Sequence, residues 1–366
     1  MHLRQQNGVP QAEHGSTPAV SPMPDWEAVH MFLEVAQRGS FRSAAKRLGQ
    51  SINSLRRRVA ELERQLQVTL FTRHVDGVRT TPEGEQILAA AQDIEVAFFN
   101  LIRAKDRATP SIAGEVKIAV TEGLGAYWVA PRIVEFQRAY PKLLIDLSCA
   151  TRSVDVLRLE ADVSVQLTKP TAADLKVVRL GRLHLMPFAA PIYARTHGLP
   201  KTLDDIRSRH RVVWLVSDQG QGRELYDRHF PQMPQPGFVS IRTNTSSTHY
   251  WAIASGAGIG WLATYAYALG AKIIPVDVDP RIPFDIWLTY HADAGRIPRV
   301  RYTIDWLIDA FDPRRFPWFR DEFIHPDDLL KAYQGDALFN PFGTVPINDP
   351  SWNELCAAAR AGTAAP

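Results

Sequence analysis

Cysteine is nearly missing from this chain: Cys149 and Cys356 are the only two in 366 residues. Two thiols cannot build the disulfide framework of a small secreted domain, so a reducing compartment is expected. Cys149 sits in an apolar run without close basic neighbours, which reads as a buried bystander rather than a redox thiol. No run of about 18 apolar residues occurs, so no transmembrane helix is expected. Residues 1–24 carry His, Gln, Asn, Pro and Ser without the apolar core of a signal peptide, and read as a flexible N-terminal tail. A cytoplasmic protein with no membrane partner is the expectation.

Signs of catalysis are equally sparse. The eleven histidines are scattered, without paired metal-ligand spacing. Gly256, Gly258 and Gly260 do not open a dinucleotide-binding βαβ unit. Ser43-Ala44-Ala45-Lys46 fits a Ser-x-x-Lys pattern, but it lies in a short helix where Lys46 is better placed to face DNA. No catalytic residue, metal or cofactor is expected, and the chain is read as a non-enzyme.

What is present is a folded composition with one strongly basic segment. A 45% hydrophobic and 22% charged chain of this length implies two or more globular domains. Between Ser40 and Thr80 nine basic residues face three acidic ones, a local charge of +6 that leaves −3 for the remainder. Such asymmetry is the electrostatic footprint of a nucleic-acid partner.

The basic segment has helical periodicity. Asp25 caps a helix in which Trp26, Val29, Phe32, Leu33 and Ala36 recur until Gly39 stops it. Ser40 caps a short second helix with Phe41, Ala44, Ala45 and Leu48 inward, Gly49-Gln50 breaks it, and Ser51 caps a third. There Ile52, Leu55, Val59, Leu62 and Leu66 form one apolar stripe. At about 100° per residue, Asn53 and Arg57 project opposite that stripe, Ser54 leans the same way, and Arg56 and Arg58 flank it. A packed back with an Asn/Arg front suits the major groove, where arginine pairs bidentately with guanine and asparagine with adenine. A merely solvated basic face is the alternative. The preceding short helix and tight turn favour a helix-turn-helix, with Ser40 and Arg42 at its entrance.

Thr69-Leu70-Phe71 and Val78-Arg79-Thr80 read as strands joined through Val75-Asp76-Gly77, a hairpin whose Arg73, His74 and Arg79 form a basic wing. Thr81-Pro82-Glu83 then opens a long helix ending near Thr109-Pro110. Ile87, Ala91, Ile94, Phe98 and Leu101 make a heptad-like seam along it. Self-pairing of this seam into a dimer is preferred over packing on the chain's own core.

These residues resemble the LysR-type transcriptional regulators. The matching run is Phe32-Leu33-Glu34-Val35-Ala36, Gly39-Ser40-Phe41, Ala44-Ala45, Arg47-Leu48, Ser51, Arg57, Leu62-Glu63, Leu70-Phe71-Thr72-Arg73 and Thr80-Thr81-Pro82-Glu83-Gly84, in order and without gaps. Two positions depart from the family pattern: Ile52 stands where a glutamine is common, and Arg56 where a second serine is.

From Gly114 short apolar strands alternate with helices, an α/β domain with largely parallel strands. The order resembles the family's effector domain, which has the fold of periplasmic solute-binding proteins. Carrying motifs are Ala130-Pro131, Phe136-Gln137-Arg138-Ala139-Tyr140-Pro141, Glu160-Ala161-Asp162-Val163, Leu180-Gly181-Arg182, Pro191-Ile192-Tyr193, Leu203-Asp204-Asp205-Ile206 and Phe284-Asp285-Ile286-Trp287-Leu288. The expected fold is α/β overall: an all-α-rich winged helix-turn-helix (25–81) with a long linker helix (82–108), then a two-subdomain α/β periplasmic-binding-protein-like effector domain (114–311). Its first subdomain takes 114–184 and 266–311, its second 185–265. The 312–366 extension lies past the usual end of the family, and Phe316-Pro317-Trp318-Phe319 suggests that it docks on the protein.

The resemblance implies double-stranded DNA, a small-molecule effector and a second copy of the chain, as dimer or tetramer, as partners. RNA polymerase joins them if the protein activates. Effector contacts are expected at Thr121, Gln166, Thr168, Thr245 and Ser246, polar groups at strand ends or a helix start, with helix capping as the alternative role of each. Amides and hydroxyls there favour an anion such as a carboxylate. Glu122 and Arg152 fall near the same cleft, and Glu122 opposes an anion, so the effector's charge stays open. An architectural DNA-binding protein that senses nothing is the second reading.

Overall fold

The computed structural model describes residues 23–338 apart from Asp76, 109–111, 151–155, 158–159, Ala173, 217–220, Gln232 and 336–337. Expectations for the tail up to residue 22, Asp76, Thr109-Pro110, Arg152, Cys356 and the end of the extension lie outside the described residues. The chain divides into two compact units between Phe98 and Phe99.

In the first unit each helix starts on the side chain expected to cap it. α1 (Trp26–Arg38) begins where the Asp25 carboxylate accepts the Ala28 amide at 2.7 Å, and ends at Gly39 in the left-handed region. α2 (Phe41–Leu48) begins at Ser40, which accepts the Ser43 amide at 3.4 Å, and ends at left-handed Gly49. α3 (Ile52–Leu66) begins at Ser51, which accepts the Ser54 amide at 3.1 Å. Phe32, Leu33 and Leu62 are buried together on one side, Met31, Val35, Ala44, Leu55 and Val59 on the other.

The first strand of the hairpin starts two residues later than expected and the second one residue earlier, with β1 (Phe71–His74) antiparallel to β2 (Gly77–Thr80). Thr69 and Leu70 are not strand because their backbone bonds go elsewhere. The Leu70 amide donates to the Glu63 carboxylate at 2.7 Å, and the Thr69 carbonyl accepts the Thr81 hydroxyl at 2.5 Å. The Thr81 hydroxyl also accepts the Gly84 amide at 2.9 Å, starting α4 (Pro82–Ala108).

The second unit opens with β3 (Gly114–Thr121), the single turn α5 (Glu122–Leu124), a π-turn at Gly125–Val129 and α6 (Ala130–Ala139). β4 (Leu143–Ala150), β5 (Val163–Gln166) and the long β6 (Leu175–Ala189) follow. Then come α7 (Pro191–His197), α8 (Leu203–Arg209), β7 (Val212–Leu215), α9 (Gln221–His229), α10 (Gln235–Phe238), β8 (Val239–Thr243) and α11 (Ser246–Ala254). β9 (Gly260–Ala263), α12 (Thr264–Ala268), β10 (Ile274–Pro275), β11 (Ile282–His291), α13 (Pro298–Ala310) and α14 (Pro326–Ala332) complete it.

The main sheet has the order β10-β6-β11-β5-β3-β4, with β9 also on β6. It is mixed rather than largely parallel. β3 runs parallel to β4 and β5, but β11 is antiparallel to both β5 and β6. The reason is that β6 and β11 are crossover strands, one leaving the first subdomain and one returning to it. Cys149, expected to be buried, is exposed, because β4 is the edge strand of the sheet. Partial burial and the Glu122 carboxylate push its thiol up, away from a reactive thiolate.

Two cores fill this unit. Val116, Ile118, Trp128, Val163 and Leu288 belong to the first; Ala189, Ile206, Val212, Trp214 and Phe230 belong to the second. The second reaches Val276 and Val278, past the expected limit at 265, because β10 pairs with the far end of β6. The extension docks as its aromatics suggested. Phe316, Trp318 and Phe319 set their rings edge-on around the buried Trp128 at 4.8, 5.4 and 5.0 Å. Among the described residues no helix is long and apolar enough to cross a membrane.

Candidate DNA-reading face and effector cavity

On α3, Asn53, Arg56 and Arg57 are exposed while Leu55, Val59 and Leu62 are buried behind them. Helical periodicity therefore delivers the expected front. Arg56 lies over the Phe41 ring at 5.6 Å, tying α3 to α2. Ser54 turns back, its hydroxyl donating to the Gln50 side chain at 3.4 Å. Ser40 and Ser51 are helix caps, with Arg42 exposed on α2. Arg58 does not join the front. Its guanidinium reaches across to α1, 3.3 Å from the Asp25 carboxylate and 3.4 Å from that of Glu27. Arg73 and Arg79 are exposed on the hairpin, opposite Val78 and Thr72.

The seam of α4 splits in two. Ala91 is buried against Phe32, Leu33 and Leu62, and Ile87 packs on the same cluster, so these two serve the domain's own core. Ile94, Phe98 and Leu101 remain 51%, 36% and 68% exposed. Phe98 stacks on Trp26 at 4.9 Å.

Within the second unit a cavity of about 190 Å³ opens between β3, α5, β6, β7, α11 and α12. Of the expected effector contacts, Thr121 and Ser246 line it. Gln166 is buried opposite Trp287 and Thr168 is half-buried beyond it, both off the cavity wall. Thr245 is also off the wall, its hydroxyl donating to that of Thr248 at 2.8 Å. Aromatic residues of the wall were not foreseen: Tyr127, Trp214, His249, Tyr250, Trp261 and Tyr265.

The amides at the start of α11, where an anionic effector was expected, already have an anion. The Glu122 carboxylate accepts from Ser246 N at 2.6 Å and from Ser247 N at 3.2 Å. Gly123 makes the approach possible, since a β-carbon there would come 2.8 Å from Ser246. Burial lowers His249 to about 4, so its imidazole is neutral and its Nε2–H donates to the Val213 carbonyl at 3.1 Å. Burial likewise pushes the Tyr250 phenol up to about 12, and raises those of Tyr127 and Tyr265. The Tyr265 hydroxyl donates to the Gly123 carbonyl at 3.0 Å.

Residues 26–85 match the model of the bacterial regulatory helix-turn-helix protein, lysR family, and residues 110–312 that of the LysR substrate binding domain. The chain belongs to the LysR family. This LysR-type protein is a DNA-binding transcriptional regulator with an effector-binding domain, and its family forms oligomers. It is similar to the HTH-type transcriptional regulator DmlR of Escherichia coli K12, with 25% identity over 77% of this chain and 93% of that one. Its identity to the uncharacterised HTH-type regulator YhjC of the same strain is 30%, over 76% and 95% of the two chains. Among solved structures, a full-length variant of AphB shares its fold with a TM-score of 0.52 at 19% identity, over 77% of this chain and 97% of that one. A full-length variant of OxyR from Pseudomonas aeruginosa does so with a TM-score of 0.50 at 20% identity, over 78% and 94%.

Proposed function

We propose that Asn53, Arg56 and Arg57 of this LysR-family regulator read base edges in the major groove, while Ser40, Arg42, Ser51, Ser54, Arg73 and Arg79 hold the phosphate backbone. The exposed α3 front carries this reading. Ile94, Phe98 and Leu101 pair with their counterparts in a second copy, so that two heads meet a two-fold-related site. The domain limits follow from this division of labour: 25–81 reads DNA, 82–108 links and pairs, and the unit from 114 onward senses.

Occupancy of the cavity lined by Thr121 and Ser246 changes operator affinity or bend. Because Glu122 holds the α11 amides, a carboxylate effector has no anchor there. The chain works by binding rather than catalysis, in the cytoplasm. Where it activates, as the name of its relative TtdR, an HTH-type transcriptional activator, says of that protein, RNA polymerase is a further partner. Sequencing the DNA fragments that the protein holds in cells supplies the operator. Loss of that operator's preference in Arg57→Ala supports the reading, and an unchanged preference sinks it.

A further inference from the structure

A ligand entering the cavity meets an apolar wall. Leu183, Leu185, Leu225, Trp214, Trp261 and Phe284 supply much of it, and no lysine, arginine, aspartate or glutamate is among its described lining residues. A carboxylate could find compensation at three places in such a site: a basic side chain, a protonated histidine or a helix N-terminus. The first is missing from the described wall. The histidine on it, His249, is buried and gives its Nε2–H to the Val213 carbonyl. The third is occupied, since both Ser246 N and Ser247 N point at Glu122 Oε2. Gly123 lies too close to Ser246 for a second anion to enter between them.

We infer that Glu122 is a built-in substitute for an effector carboxylate, and that the cavity takes an uncharged, single-ring apolar effector. The inference rests on the proposed effector role of the cavity. An apolar cavity of about 150 Å³ holds one benzene ring. The 190 Å³ available therefore accommodates one ring with a small substituent. Thr121, Tyr127, Ser246 and Tyr250 are lining residues that carry hydroxyls, and the Tyr265 hydroxyl already donates to the Gly123 carbonyl. A charged ligand would leave water for a wall whose described residues bring no counter-charge, which disfavours it strongly.

The test uses the purified full chain at pH 7.5, titrated with phenol, toluene and benzoate while intrinsic tryptophan fluorescence and the melting temperature are followed. Phenol and toluene are expected to bind and to raise the melting temperature, with benzoate at least tenfold weaker. Glu122→Ala should free the α11 amides, so that benzoate gains at least tenfold. Glu122→Gln, whose amide oxygen still accepts both bonds, should keep the preference for neutral rings and covers the case in which the alanine variant misfolds. Leu225→Trp should fill the cavity and abolish ring binding while the chain stays folded by circular dichroism. Benzoate bound by the native chain as tightly as phenol, or no ring bound at all, overturns the inference. Phenol that binds but leaves operator affinity and bend unchanged instead sinks effector control, and leaves the ligand class standing.

Discussion

The Val78 amide donates to the Gly39 carbonyl at 2.8 Å, and Gly77 passes so near that a β-carbon on it would overlap that same oxygen. The wing thus meets the turn between α1 and α2 backbone to backbone, at a position where φ is +142°. Gly77→Ala should destabilise the DNA-binding unit by about 2 kcal/mol or more, through strain and the clash with Gly39. Chemical denaturation followed in that unit measures the loss, and DNA affinity should fall with it. An alanine variant as stable as the parent would mean the hairpin can leave Gly39 without cost.

Two neighbouring arginines should behave differently. Arg57→Ala removes an exposed donor from the α3 front and should cost about 1–3 kcal/mol at the cognate site, relaxing preference at one base pair. Arg58 is 40% exposed and paired with Asp25 and Glu27. Arg58→Ala should therefore lower stability by less than about 1 kcal/mol and leave base preference intact. Binding measured across a set of single-base operator variants separates the two outcomes.

Substitutions along α4 should divide into folding and assembly defects. Ala91→Glu places a charge among Phe32, Leu33 and Leu62 and should unfold the DNA-binding unit. Leu101→Glu, on a residue 68% exposed in the single chain, should leave that unit folded and weaken self-association. Sedimentation velocity with circular dichroism on both variants provides the check. A Leu101→Glu protein that associates as the parent does would remove this stripe from the interface.

Acid should weaken the sensing unit through His249. Burial, only partly offset by the bond to the Val213 carbonyl, lowers the folded value to about 4 from the ordinary 6.5. Between those two values the unfolded chain binds the proton and the folded chain does not. Stability attributable to this group is therefore intact above about pH 6.5 and falls as pH drops toward 4, by about 3 kcal/mol in all. His184, His210 and His229 are lowered too, again chiefly by burial, and act with the same sign. Denaturant unfolding at pH 5 and pH 7.5 should show the slope, and His249→Gln should flatten part of it. Equal slopes in the two proteins would contradict a neutral buried imidazole.

What was legible in the sequence follows the range of the interactions. Asp25, Ser40 and Ser51 announce their helices because a cap acts three residues away, and Gly39 and Gly49 announce the stops for the same reason. The pairing of Arg58 was not legible because its partners, Asp25 and Glu27, sit 33 and 31 residues earlier. Glu122 and Ser246 are 124 residues apart, and no local pattern marks a carboxylate that caps a distant helix. Ile87 through Leu101 form one continuous seam in sequence, yet its neighbours change from the chain's own core to solvent midway. The cavity wall escaped notice because Trp214, Tyr250, Trp261 and Tyr265 are individually ordinary core aromatics, and only the tertiary fold gathers them.

The docked extension bears on how this regulator can be recombined with its relatives. The family match ends at residue 312, four residues before Phe316, the first ring of the extension packed on Trp128. Trp128 meets Tyr265 at 6.1 Å, Phe319 meets it at 6.2 Å, and Tyr265 is a wall of the cavity. A chimaera spliced at the family border would carry a sensing domain whose pocket had lost its outer buttress. The transplantable piece is longer than the homologous one, and a graft has to run at least through Tyr333, whose ring lies 5.3 Å from that of Trp318.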